Sequence, residues 1–184
     1  MFVLYKDICS KIEIEILDFD KLYYFDFYIT NIEYVFEISS RTGKMYIIKY
    51  LLTKKIQKVD LNSDNNYAIR SASRFGHYKI VKLLIKQDTS KIDPGARDNY
   101  AIKFASTNGF YKIVKLLLKD ERVNPCSTSN AAIKWATING RLKVVKLLLK
   151  DKRIDPIVLL NQYIYYKKNG KLLKKYKVDF IKRY

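Results

Sequence analysis

The sequence predicts an all-α protein, a solenoid of four to five short helix hairpins. A glycine recurs from Gly43 to Gly170 at intervals of 33, 33, 31 and 30 residues. An apolar residue followed by Asp or Asn, usually then Pro, recurs from Val59 to Ile154 at intervals of 33, 31 and 31 residues. Periods of this length are typical of repeat architectures. The chain of 184 residues has only 6 Gly and 3 Pro, too few for a turn-dense β-sandwich or barrel.

The repeated unit is a nineteen-residue motif that matches without gaps in three copies, residues 66–84, 99–117 and 130–148. A weaker copy covers residues 33–51, and a degenerate copy begins at Asn161. The predicted organisation is therefore an N-terminal cap over 1–30, repeats over 31–63, 64–96, 97–127 and 128–158, and a degenerate capping repeat with a basic tail over 159–184.

The first helix of each unit is expected to begin at an asparagine. Asn66, Asn99 and Asn130 precede apolar runs of helical period, where an Asn side chain can cap the first free backbone N–H groups. In the middle copy Ile102, Ala105 and Ser106 share one face of this helix. Small residues on that face predict close approach of a neighbouring helix.

The second helix follows a glycine turn and is more apolar. In the middle copy Asn108-Gly109 supplies a turn that tolerates positive φ, and the apolar residues within 113–118 form the helix. A proline and a cluster of Ser, Thr and Asn then predict an extended loop or β-turn over 122–129, here called a finger. Helices of about eight to ten residues are unstable alone, so the hairpins must stack.

Both ends of the chain depart from the repeat, as terminal units of a solenoid do. Residues 161–184 keep Gly170 but place lysines where the repeat has buried Ile and Val, which predicts a cap with a polar outer face. Residues 11–16 alternate in polarity like a strand, and residues 22–29 are rich in aromatic side chains. The first 30 residues are therefore expected to form an irregular cap or a small β-hairpin.

The motif resembles that of the ankyrin-repeat family. Gly76-His77 followed by Ile80-Val81-Lys82-Leu83-Leu84 matches the family's Gly-His and apolar second helix, whereas Tyr67-Ala68-Ile69-Arg70 replaces its Thr-Pro-Leu-His. The variant is similar to the ankyrin proteins of giant, amoeba-infecting DNA viruses. This resemblance implies a non-catalytic module that binds a host protein through a concave face of finger tips and first helices. We expect a monomer inside the host cell, in the cytoplasm or alternatively in the nucleus.

The resemblance also assigns the partner-contacting positions, which vary between copies while the framework stays constant. They are Asn62, Ser63, Arg70, Arg74, Phe75, Arg97, Lys103, Thr107, Asn108, Ser127, Lys134, Ile138 and Asn139. Trp135 aligns with Phe104 and Ser71, and we expect it to pack within the framework rather than to recognise a partner.

Charge supports an alternative function. The chain has a net charge of +18, and its first 40 residues hold three basic against eight acidic residues, so the positive charge lies in the remainder. Lysines recur in register on the predicted outer side of the second helices: Lys79, Lys82, Lys86, Lys112, Lys115, Lys119, Lys143, Lys146 and Lys150. Such ladders suit weak, nonspecific binding of nucleic acid or another polyanion. The competing interpretation is a solvated face in a lysine-rich chain, where 28 of 36 basic residues are Lys.

Features of an enzyme or a membrane protein are not expected. His77, the single histidine, occupies a repeat position, and we find no phosphate-binding loop, paired-carboxylate motif or zinc spacing, so neither metal nor cofactor is predicted. Cys9 and Cys126 cannot form a disulfide framework. No apolar run reaches the length of a membrane span, and the start does not resemble a secretory signal. A ubiquitin-ligase adaptor role is a further alternative, although we find no F-box.

Overall fold

A computed structural model of the protein describes residues 32–53, 59–87, 92–155 and 157. These residues form eight α-helices and no strand: α1 Ile32–Thr42, α2 Met45–Thr53, α3 Ser63–Phe75, α4 Tyr78–Ile85, α5 Ala96–Asn108, α6 Tyr111–Leu117, α7 Ser127–Ile138 and α8 Leu142–Leu148. Consecutive helices pair into four hairpins, which confirms the predicted all-α class of helical-repeat solenoid. The cap predicted over 1–30 and the capping repeat over 159–184 lie outside the described residues.

The chain divides into two compact units, residues 1–93 and 94–184. In the first unit α1 packs on α3 and α2 packs on α4. In the second unit α5 packs on α7 and α6 packs on α8. Equivalent helices of successive hairpins therefore stack within each unit, as the shortness of the helices requires.

Burial follows the repeat period. On α5 the side chains of Ile102, Ala105 and Ser106 are 1%, 0% and 0% exposed, so the predicted packing face is confirmed. The second helix of the same hairpin buries Ile113, Val114 and Leu117. The fingers after the last three hairpins each add one buried aliphatic side chain at the same register, namely Ile92, Val123 and Ile154. Each hairpin thus contributes to a core that only stacking can complete.

Two of the repeated glycines, Gly43 and Gly109, are explained by a close approach from the next hairpin. Gly43 has φ of +80°, and a Cβ there would lie 2.6 Å from Cε1 of His77, whose Nε2 donates to the carbonyl oxygen of Arg41 at 2.8 Å. In the second unit a Cβ on Gly109 would lie 2.8 Å from Cδ of Arg141. Both the backbone conformation and the available space therefore require glycine. The assignment of His77 as a repeat residue fits this packing.

The asparagines that precede the first helices do not cap them, contrary to the prediction. In α3, Asp64, Asn65 and Asn66 have φ of 41°, 53° and 62°, and no side chain caps the helix start. The same left-handed turn occurs in α5 over 97–99 and in α7 over 128–130. Right-handed helix resumes only after the asparagine. The turn aims the asparagine side chain away from the N–H groups that it was expected to cap.

Two of these asparagines, Asn66 and Asn99, instead bind the finger that follows their own hairpin, whereas Oδ1 of Asn130 is buried without a hydrogen-bond partner among the described residues. Asn66 Oδ1 accepts the backbone N–H of Asp93 at 2.7 Å, and Asn99 Oδ1 accepts that of Asn124 at 2.6 Å. In the first hairpin the carboxylate of Glu33 accepts the N–H of Asp60 at 3.4 Å. We call this bond the hairpin clasp, because it joins the start of the first helix to the chain that leaves the second.

Thr128 should be the most strained residue of these turns. It is β-branched and has φ of 52°, a conformation that disfavours β-branched residues more than Asn. We expect Thr128→Asn to stabilise the protein by about 1 kcal/mol, which corresponds to a rise in Tm of roughly 2 to 4 °C for a chain of this size. Differential scanning calorimetry measures the change. Thr137→Asn, within right-handed helix, serves as the control and should not raise Tm; equal effects of the two changes would contradict the prediction.

Candidate interaction surface

In each unit the exposed side of the first helices, together with the left-handed turn at their start, forms what we call the first-helix face: α3 carries it in the first unit, and α5 and α7 carry it in the second. The predicted contact residues fall into three groups by exposure. Exposed are Asn62, Arg74, Phe75, Arg97, Asn108 and Asn139; partly buried are Ser63, Lys103, Thr107, Ser127, Lys134 and Ile138; buried is Arg70. Each unit therefore presents a first-helix face of its own.

Arg70 is not available on this face, contrary to the expectation that it lies exposed there. The residue is 4% exposed, and its Nε donates to the carbonyl oxygen of Asn65 at 2.8 Å. A second guanidinium nitrogen donates to the carbonyl oxygen of Asp64 at 2.7 Å and contacts the Asp64 carboxylate at 3.3 Å. A buried guanidinium requires such partners. Arg70 therefore supports the left-handed turn before α3.

Trp135 is exposed, contrary to the prediction. We predicted that it packs within the framework, but it is 45% exposed. At the same position of the preceding copies Phe104 is partly buried and Ser71 is 5% exposed. The first-helix face of the second unit therefore presents a large aromatic side chain to solvent. The sequence signal that could have revealed this exposure is the change from Tyr100 to Ala131 between copies.

An aromatic and basic cluster lies on the first unit. The ring of Phe75, 44% exposed, has the guanidinium carbon of Arg41 5.5 Å from its centroid and that of Arg74 5.6 Å from it. These are cation–π distances. Both arginines are in the last turns of their helices, where a positive charge also interacts favourably with the helix dipole.

All nine lysines of the predicted ladders are exposed. They lie on the second helices or just after them, where α4, α6 and α8 turn buried Ile, Val and Leu side chains inward. The helical spacing predicted for them is therefore correct. Both interpretations of these lysines, a polyanion site and a solvated face, require exposed side chains.

An Asp-x-Arg motif in the fingers was missed by the sequence analysis, although it recurs as Asp120-x-Arg122 and Asp151-x-Arg153. The Arg153 guanidinium donates to both carboxylate oxygens of Asp151, at 2.8 and 2.7 Å. It also donates to the carbonyl oxygen of Val123 at 2.8 Å and contacts that of Leu118 at 3.3 Å. The carboxylate of Asp151 thus orients an arginine that binds backbone carbonyl oxygens of the preceding repeat.

This pair predicts acid-sensitive stability. The hydrogen bonds from Arg153 lower the pKa of Asp151 below its ordinary value. Because the folded pKa lies below the unfolded value of about 3.9, the contribution of Asp151 is complete above that pH and is lost as the pH falls through the folded pKa. We expect Asp151→Asn to lower Tm at neutral pH and to leave it nearly unchanged below the folded pKa. Calorimetry from neutral to strongly acidic pH tests this.

Asp155→Asn, in the same finger, is the matched control, since no Arg contact to Asp155 occurs within the described part of the chain. If Asp151→Asn and Asp155→Asn follow the same pH profile, the Asp151–Arg153 pair does not cause the acid sensitivity.

Within the described residues, no group of three or more His, Cys, Asp or Glu side chains is placed to hold a metal ion. Burial raises the pKa of the Cys126 thiol, which donates to the carbonyl oxygen of Arg153 at 2.8 Å, so its thiolate form is disfavoured. Among residues 32–53, 59–87 and 92–155, no helix is long and apolar enough to cross a membrane.

Comparison with known proteins agrees with the geometry of the hairpins. A family model for ankyrin repeats in three copies matches residues 87–158, and a model for a single ankyrin repeat matches residues 64–99. No curated protein and no solved structure matches the chain. The two family matches together span residues 64–158, just over half of the 184 residues. With its stacked helix hairpins, glycine turns and fingers, the chain belongs to the ankyrin-repeat family.

Proposed function

We propose that the protein is a non-catalytic interaction module that binds a partner protein through the first-helix face. Ankyrin repeats are generally protein–protein interaction modules. One observation supports this face in particular. Ala105 and Ala136 occupy the same buried position and are identical, whereas Phe104 and Trp135 occupy the neighbouring, more exposed position and differ. A constant framework with varied exposed positions is what a binding surface on a repeated scaffold should have.

The nature of the partner is also part of this proposal. The resemblance to ankyrin proteins of giant viruses supports a host-cell protein as partner and the host cytoplasm as the place of encounter. The predicted contact residues that the structure exposes or partly exposes would provide the contacts. Interface energy concentrates in a few of them.

The test compares two triple variants in affinity capture from host-cell extract, followed by binding measurements with the purified partner. Arg74→Ala, Thr107→Ala and Ile138→Thr together should abolish capture, because these side chains occupy one position of the first-helix face in three repeats. Lys82→Gln, Lys115→Gln and Lys146→Gln together should retain it, since distant charges mainly change encounter rates. Both variants should keep the wild-type helix content. Capture that survives the first change and disappears with the second would move recognition to the second helices.

A second candidate function is favoured by the nine exposed lysines. Binding of duplex DNA by these side chains should be weak, with Kd of about 10 to 100 μM at physiological salt. It should also weaken with salt, with a log–log slope of about −0.9 for each phosphate contacted. Fluorescence anisotropy with labelled duplexes of unrelated sequence measures both quantities. The lysine triple variant should reduce the slope, and tight binding that depends on sequence would make this the leading function.

A further inference from the structure

Two aromatic rings cover each other on α5. Tyr100 and Phe104 are one helical turn apart, and their ring centroids are 4.1 Å apart with an interplanar angle of 29°. The Nζ of Lys103 lies 5.3 Å from the Phe104 centroid. Phe104 is only partly exposed as a result. In this repeat, therefore, the Phe104 ring is contacted by two side chains of its own helix, the ring of Tyr100 and the ammonium group of Lys103.

The next repeat has the same arrangement with one ring missing. On α7, Trp135 takes the position of Phe104 and Lys134 that of Lys103, but Ala131 stands where Tyr100 would be. Trp135 is 45% exposed, whereas Ala131 is 5% exposed. The substitution of a methyl group for a phenol ring accounts for the exposure of the indole. Tryptophan is enriched among the residues that dominate interface energies, so this exposed indole is a candidate contact for a partner.

The charged side chains on the right-handed parts of the two first helices of the second unit have one sign. The right-handed parts of α5 and α7, residues 100–108 and 131–138, contain Lys103 and Lys134 and no acidic residue. Asp98 and Arg97 both lie exposed in the turn before α5, where their charges offset each other. A partner segment that carries Asp or Glu is therefore attracted to this part of the face, and a basic segment is repelled.

We propose that Trp135 binds an aromatic side chain of an acidic segment in a partner protein, which stacks on the indole as Tyr100 stacks on Phe104. Lys134 supplies the positive charge for the acidic residues beside that ring. This inference rests on the proposed function and names the chemistry of the partner. An aromatic pair strengthens binding by about tenfold beyond the burial of its area.

Trp135 is the single tryptophan of the chain, so its emission reports on this site directly. The full chain is titrated with three short synthetic peptides: an acidic peptide with a central tyrosine, the same peptide with leucine in its place, and a basic peptide with the tyrosine. We expect a saturable change in tryptophan emission with the first peptide. Binding should be about tenfold weaker with the leucine peptide and undetectable with the basic one. Equal binding of the tyrosine and leucine peptides would overturn the proposal.

Two variants test the site from the protein side. Ala131→Tyr installs the ring that the preceding repeat carries, so it should shift the emission of Trp135 and remove the preference for the tyrosine peptide over the leucine peptide. Trp135→Ser installs the residue of the repeat at Ser71 and should weaken the acidic tyrosine peptide about tenfold in isothermal titration calorimetry. Tyr111→Ser is the matched control, because Tyr111 is an aromatic residue of the second helix that is 39% exposed. The Tyr111→Ser variant should bind the acidic tyrosine peptide with wild-type affinity. The affinity of the wild-type protein for this peptide should not depend on protein concentration.

The outcomes separate this inference from the proposed function. If the Arg74, Thr107 and Ile138 triple variant loses the partner while Ala131→Tyr and Trp135→Ser bind it normally, the interaction face stands and the aromatic site is wrong. If all three variants bind the partner, both proposals fail. Emission that changes on dilution without peptide would show that a second copy of the chain occupies Trp135 and would overturn the choice of partner.

Discussion

Ala105→Lys should destabilise the protein by several kcal/mol, a large fraction of the stability of a small domain. Ala105 is completely buried on α5, and the equivalent residues Ala72 and Ala136 are also 0% exposed. A lysine there has to bury a charge without a partner and to force the stacked helices apart. Urea unfolding followed by far-ultraviolet circular dichroism should show an earlier midpoint and reduced helix content.

The matched control is Asn108→Lys, an exposed change three residues further along the same helix. It adds the same side chain outside the core and should alter stability by about 0.5 kcal/mol or less. If Ala105→Lys unfolds at the same urea concentration as Asn108→Lys, Ala105 does not pack between helices and the repeat alignment is wrong.

The second large effect is expected at Asn66, which combines a hairpin clasp with a left-handed backbone. Asn66→Ala removes the acceptor of the Asp93 N–H, which should cost about 1 to 3 kcal/mol of folding stability. Alanine at φ of 62° should cost about 1 to 2 kcal/mol more. Asn66→Gly should lose the bond alone, because glycine accepts positive φ. Asn66→Asp keeps an acceptor oxygen and should be the least affected. Urea unfolding of the three variants should therefore rank them Asp, Gly and Ala from most to least stable.

Asn65→Gly separates the backbone effect from the clasp. Asn65 has φ of 53° in the same turn and is exposed, and its carbonyl oxygen, which accepts from Arg70, remains in the variant. We expect this variant to be nearly as stable as wild type. If Asn66→Gly and Asn65→Gly unfold at the same urea concentration, the hairpin clasp does not contribute to stability.

The hairpins and their core could be predicted from the sequence, because both depend on short-range patterns. Apolar spacing within each copy identified the face of Ile102, Ala105 and Ser106, and the glycine interval set the hairpin turn. Repetition strengthened each inference, since an accidental pattern does not recur in register. The same reasoning placed the lysine ladders on exposed sides of the second helices.

The details that the sequence analysis predicted incorrectly depend on backbone reversal and on contacts distant in sequence. An asparagine before a helix is normally a cap, and nothing in Asn66 or Asn99 alone indicates the left-handed turn that points them at residues 27 and 25 positions away. Arg70 is buried by that same turn. For Trp135 the necessary signal was present, because its exposure follows from the exchange of Tyr100 for Ala131 between copies.

The hairpin clasps also locate where the chain tolerates extra length. The distance in sequence from the clasping asparagine to the next glycine is the same for Asn66 and Asn99, yet their clasps close over 27 and 25 residues. The two extra residues fall between Lys86 and Ile92, since the corresponding stretch from Lys119 to Val123 is shorter by two. The repeat thus accepts insertion after its second helix without loss of the closing bond. Short insertions after a second helix are therefore expected to leave the hairpin clasp closed.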